Sequence, residues 1–115
     1  MSDIQLKALD KQDQDNRQLV ELGDSLNRLR TNRDFKRVIS QAYFKDEAVR
    51  LVHLKSDPNM QDAEKQKSIV AQIDAIGSFS AFLNTVMANA AHARRALSES
   101  EAMREEILEQ GDDNE

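Results

Sequence analysis

A chain of 115 residues with no cysteine, three glycines, one proline and a net charge of −5 is sized for one modest domain. Its Ala, Leu, Gln, Glu, Lys and Arg content favours helices over sheets, so an all-α fold is expected. The missing cysteines exclude a disulfide framework, a cysteine-ligated metal and thiol catalysis, and they fit a reducing, cytoplasmic setting. The opening MSDIQLKALDKQDQDNRQ is polar and has no apolar core of a secretory signal.

Ser2 followed by Gln5 has the form of a capping box, so a first helix is expected to start almost at once, with Ile4, Leu6 and Leu9 as its early apolar residues. From Asp10 to Gln18 the pattern is polar all round, which predicts a stretch projecting into solvent or lying on something outside the domain. Leu19, Leu22, Leu26 and Leu29 then recur at spacings of 3, 4 and 3, a narrow seam of coiled-coil type ending near residue 30. Thr31 and Asp34 offer a cap and an acidic first turn for the next helix, with Phe35, Val38, Ile39, Ala42 and Tyr43 at helical spacing. Lys45-Asp46-Glu47 reads as a bend, so residues 32–55 are expected as two short helices rather than one kinked helix. Pro58, which lacks an amide hydrogen and biases Asp57 away from helical torsions, ends that segment.

The last helix is expected from about Asp62, whose charge with Glu64 suits the positive end of a helix dipole. It includes the most distinctive stretch of the chain. From Ala75 to Ala93 there is no charged residue, although 32% of the chain is charged. A helix wrapped by other helices is the expected cause. Leu22, Leu26 and Leu29 are predicted to pack on Ile73, Phe79, Leu83 and Val86, with Phe82 on the stripe of Phe79 and Val86 and Ala88 to Ala96 allowing close helix approach. Gly77, Ser78, Asn84, Thr85, Asn89 and His92 make the stretch too polar for lipid, so no membrane span is expected. The helix either continues to about residue 109, which would make it about 70 Å long, or yields to a short one capped by Ser98 and Glu101. The architecture expected is an elongated helical hairpin or open bundle of three or four helices with a long C-terminal helix. Residues 1–98 form the single domain, and 99–115 an acidic tail, disordered after about residue 109.

That tail holds eight acidic residues against Arg104, which leaves it at −7 and residues 1–98 at +2. Glu101, Glu105 and Glu109 share one face, a like-charge arrangement that weakens an isolated helix unless cations meet it. The densest positive segment is Arg28, Arg30, Arg33, Lys36 and Arg37 with only Asp34 opposing, and it could simply face solvent, meet phosphates, or receive the acidic tail of the same chain or a neighbour. It straddles a helix junction, and Phe35 fits a core stripe better than a base-stacking platform, which argues against nucleic acid. His53 and Asp57 stand four apart but have no nucleophile or third ligand beside them. His92, among alanines, is expected to be packed and hydrogen-bonded. No catalytic residue, cofactor or metal site is assigned.

At NRDFKRVISQAYFKDEAVRLVHLKSDPNMQDAEKQKSIVAQIDAIGSFSAFLNTV, residues 32–86, the chain resembles small helical proteins encoded by tailed bacteriophages. The likeness rests on the Asn-Arg-Asp-Phe helix start, the Tyr-Phe-Lys-Asp-Glu-Ala segment, the Asp-Pro turn and the aromatic Phe79 and Phe82 after Ile76-Gly77. The resemblance implies a source rather than an activity. Joined to the residue patterns, it yields the expectation of a non-enzymatic protein of virion structure or assembly. Such a protein would pair with itself or another phage structural protein, in the infected cell's cytoplasm or the virion. The alternative is a small regulator binding a host protein or a nucleic acid.

Overall fold

The computed structural model describes residues 2–113, and every main element is helical. Helix α1 spans Ser2–Thr31, α2 Arg33–Phe35, a π-helical segment Lys36–Glu47, α3 Ala48–Ser56, a 3-10 turn Pro58–Met60, and α4 Ala63–Asp113. The fold is all-α with a long C-terminal helix, as expected. The capping role expected of the Ser2 side chain lies outside the described residues, as do residues 114 and 115 of the acidic tail.

Helix boundaries follow local chemistry. After α1 the cap is Asn32, not Thr31: the Asn32 carboxamide oxygen accepts from the amides of Asp34 and Phe35 at 2.9 and 3.0 Å. The Thr31 hydroxyl instead donates back to the Arg28 carbonyl at 2.9 Å. Asp57 accepts from the Asn59 amide at 2.8 Å, with Pro58 in the first turn position that spares a donor. Asp62 accepts from the Lys65 amide at 2.6 Å and so caps α4 as well as suiting its dipole.

Residues 33–56 run without the break expected at Lys45-Asp46-Glu47, because Phe35, Lys36, Glu47 and Ala48 all keep right-handed helical torsions. What changes there is the winding. Phe35, Ile39, Ser40, Tyr43, Phe44, Glu47 and Ala48 are the partly covered positions. The i→i+5 bonding of a π-helix widens the turn, and the neighbouring Tyr43 and Phe44 both pack on the core.

The chain divides into two compact units. One comprises residues 27–85. Its core is Leu51, fully buried, with Ile69 and Ile76, packed by Tyr43, Phe44, Ala48, Leu54, Met60 and Ile73. Phe79 joins this unit through its ring, 5.5 Å from Phe44 and 6.1 Å from Tyr43. It therefore meets the π-helical segment rather than the leucines of α1. The turn into α4 is closed by two glutamines. Gln66 Nε2 donates to the carbonyls of Lys55 and Met60, and Gln61 Nε2 to those of Lys55 and Asp57.

The other unit joins residues 1–26 to 86–115. Its cross-links run in opposite sequence order: Asp10 and Asp13 to Arg104, Asp24 to Arg94, Gly23 to Ala90. α1 and α4 are thus antiparallel here. The covered positions of α1 are Leu6, Leu9, Asp13, Asn16, Val20, Gly23, Asp24 and Leu26. The Leu19, Leu22, Leu26, Leu29 seam is corrected: Leu26 is buried, while Leu22 and Leu29 are 51% and 47% exposed and Leu19 is also exposed. The working seam is displaced from theirs by about one residue, or 100° of helix rotation. Gly23 selects that phase, because a Cβ at this position would overlap the Ala90 Cβ, so only glycine admits so close an approach. The polar turns from Asp10 to Gln18 do not simply project into solvent, since Asp13 lies inside the seam at 4% exposure. α4 runs through Gly111 to Asp113, past the expected end near residue 109 and without a break at Ser98.

Candidate protein interface on the last helix

The charge-free stretch is not wrapped. In α4 the most apolar 18-residue window has a mean hydropathy of 1.3, enough by length and composition alone to cross a membrane, yet only 17% of it is buried. Leu83, Val86, Ala90 and Ala93 are covered, and Phe82 is 58% exposed. Also exposed are Ser78, Ala81, Thr85, Ala88, Asn89 and His92. A helix face in water ordinarily carries charged residues, whereas depletion of charge marks the centre of protein interfaces. His92, expected to be packed, is exposed, and Arg95 Nη2 lies 2.9 Å from its Nδ1.

The other sequence candidates fall in different places. Arg28, Arg30, Arg33, Lys36 and Arg37 are exposed, and among the described residues Arg30, Arg33, Lys36 and Arg37 form no ion pair. The tail's own Arg104 pairs instead with Asp10 and Asp13 at 2.8 and 2.7 Å. Glu101, Glu105 and Glu109 remain exposed on helical backbone. His53 is exposed, and Asp57 is occupied in capping the 3-10 turn. Among the described residues no three His, Asp or Glu gather closely enough to hold a metal ion.

Sequence reasoning missed the polar cluster of the antiparallel pair. Asp13 Oδ2 accepts from Arg104, while Asp13 Oδ1 and Ser100 Oγ are buried without a well-formed hydrogen bond. The Ser100 hydroxyl beside it, then the Arg104 guanidinium, hold the Asp13 carboxyl below the ordinary carboxylate range, against the desolvation of its site. Arg104 is correspondingly raised, by Asp10 first and Asp13 second. A cavity of about 310 Å³ adjoins the cluster, lined by Asp13, Arg17, Leu97, Glu101 and Arg104. The one signal in the sequence was Arg104 itself, the single cation among the eight acids of residues 99–115. In the 27–85 unit, Val38, Ile39, Ala42, Tyr43 and Glu47 line a shallow groove, where hydrogen bonding to Arg50 lowers the Glu47 carboxyl.

No family model, curated protein or solved structure matches the chain.

Proposed function

We propose that this is a non-enzymatic bacteriophage protein that works by helix packing in virion structure or assembly, pairing with itself or with another phage structural protein. The observation that carries the reading is the exposed, charge-free face of α4 in a chain that is otherwise 32% charged. Such a face loses little by leaving water and meets no desolvated charge on doing so, which is what a packing surface requires. The resemblance of residues 32–86 to small helical phage proteins supplies the setting, the infected cell and its particles. The test is mass spectrometry of purified particles of the encoding phage. Wild-type chain is expected in them, and Thr85→Glu, with unchanged circular dichroism, is expected to be depleted at least tenfold. A wild-type chain absent from particles and captured by no structural protein rejects the reading.

A second reading, a regulator of a host protein or nucleic acid, draws on the exposed cations at Arg30, Arg33, Lys36 and Arg37. If these meet nucleic acid, affinity falls steeply between 50 and 200 mM salt, on the order of tenfold or more. A flat salt response removes that version.

A further inference from the structure

Each unit of this chain carries one set of exposed charge that nothing offsets, and the two sets have opposite sign. The positive set, in the 27–85 unit, is Arg30, Arg33, Lys36 and Arg37, exposed and without an ion pair among the described residues, with only Asp34 opposing. The negative set, in the other unit, lies at the C-terminal end of α4, where Glu99, Glu101, Glu105, Glu106 and Glu109 are exposed and form no ion pair among the described residues. Arg104, the one cation of residues 99–115, is held by Asp10 and Asp13 and offsets none of them. Glu101, Glu105 and Glu109 follow one another at four residues, about 6 Å of helix axis, and repel along one face until cations meet it. Arg33 and Arg37 stand four residues apart on a helical run, the matching interval. Apolar surface accompanies both sets. Val38, next to Arg37, is 57% exposed and opens the shallow groove toward Tyr43, while Met103 and Leu108 are 51% and 55% exposed among the acids of α4.

We infer that the acidic end of α4 from one copy of this chain docks on the cationic face of residues 30–37 of a second copy. This rests on the packing function proposed above and names the two surfaces that meet. Charge complementarity selects the occupant, because an acidic helix matches the interval of the arginines and brings its own apolar side chains to Val38 and the groove behind it. A nucleic acid would supply the charge but ask for rings to stack its bases, and Phe35, the one ring within residues 30–37, is half-buried. The docking surface and the docked surface differ, so the contact is head-to-tail in kind, and every chain carries one of each. Exposed ion pairs are individually weak and are screened by salt, so the association is reversible, grows with protein concentration and fades as salt is added.

Lys36, the one amine of the positive set, makes the contact trappable. A carbodiimide condenses that amine with a carboxylate held beside it, and mass spectrometry of an equal mixture of light-nitrogen and heavy-nitrogen chains tells a second copy from the same one. Links from Lys36 to Glu101, Glu105, Glu106 or Glu109 are expected, with about half of them joining unlike isotopes. Light scattering adds a charge test. The triple change Glu101→Gln, Glu105→Gln and Glu109→Gln is expected to self-associate about tenfold more weakly with circular dichroism unchanged, and so is the double change Arg33→Gln and Arg37→Gln. All five together are expected to lose no more than either set, since both sets remove the same contact. The wild-type association is expected to weaken by about tenfold between roughly 50 and 500 mM salt. Links confined to like isotopes would seat the acidic end on its own chain and overturn the proposal. A monomer at all concentrations, with no link from Lys36, would also overturn it. Should that monomer still enter particles in a Thr85-dependent way, self-docking falls and the packing function stands; if it is absent from particles, both fall. Binding of duplex DNA by that monomer, lost in the double arginine variant, would give the cations to nucleic acid and likewise overturn the proposal.

Discussion

The two units of this chain are held by different chemistry. Residues 27–85 gather branched aliphatics around a fully buried Leu51 and add a trio of rings, so their cohesion is mostly apolar area removed from water. The antiparallel pair of residues 1–26 and 86–115 buries Leu9, Leu26 and Val86 beside the small Gly23, Ala90 and Ala93, with a buried carboxylate and a shared arginine in the seam. Small residues bury little area but allow close approach, and buried charges add positional selectivity more than stability. One unit relies on apolar volume alone, the other adds close fit and a buried ion pair to it.

The largest expected effect breaks the first of these. Leu51→Ala should cost about 2–5 kcal/mol, read by urea unfolding, with amide exchange accelerating first between residues 43 and 76. Loss spread evenly over the whole chain would erase the distinction. Next, Gly23→Ala should destabilise the antiparallel pair by about 1–3 kcal/mol, since α1 must move off Ala90. Gly111→Ala, where an added Cβ meets nothing within 4 Å, should stabilise by under ~1 kcal/mol in the same thermal melt.

Acid sharpens the contrast further. A carboxyl whose folded pKa is lowered contributes stability that is present above its unfolded pKa and is lost as pH falls through the folded one. Asp13 is such a group, so protection of residues 9–26 and 93–104 should fall below about pH 4, ahead of the 43–76 core. Asp13→Asn should flatten that profile. The smallest effect belongs to the exposed Asp24–Arg94 pair: Asp24→Asn should change stability by under ~1 kcal/mol and by less still in high salt.

Where one residue's chemistry decides a boundary, the fold was legible in the sequence. Pro58 ended a helix by lacking a donor, and Asp62 began the last one. Phase was harder to read, because it depends on which face a distant helix approaches. The strongest periodic signal, Leu19, Leu22 and Leu29, advertised a face that the chain leaves open, whereas the seam actually used contains Asp13, Asn16 and Gly23, none of which counts as apolar. The π winding was equally hidden, since Phe35, Val38, Ile39, Ala42 and Tyr43 recur at ordinary α-helical spacing. The uncharged stretch was plain to see, but a run without charges says only that charge is unwelcome there. Whether the chain or another molecule covers it is a tertiary fact.

The π-helical segment leaves the protein sensitive to chain length at one place. In an ordinary α-helix, losing one residue rotates everything downstream by about 100°. Between Lys36 and Glu47 the ladder already carries the extra reach of i→i+5 bonds, so a one-residue deletion there could relax into α winding with little net rotation. Ala48, Leu51 and Leu54 would keep their direction while Tyr43 and Phe44 lost their shared one. Shortening this turn would therefore spare the aliphatic half of the core and dismantle its aromatic half, which makes the stack around Phe79 the part of the unit most exposed to insertion and deletion.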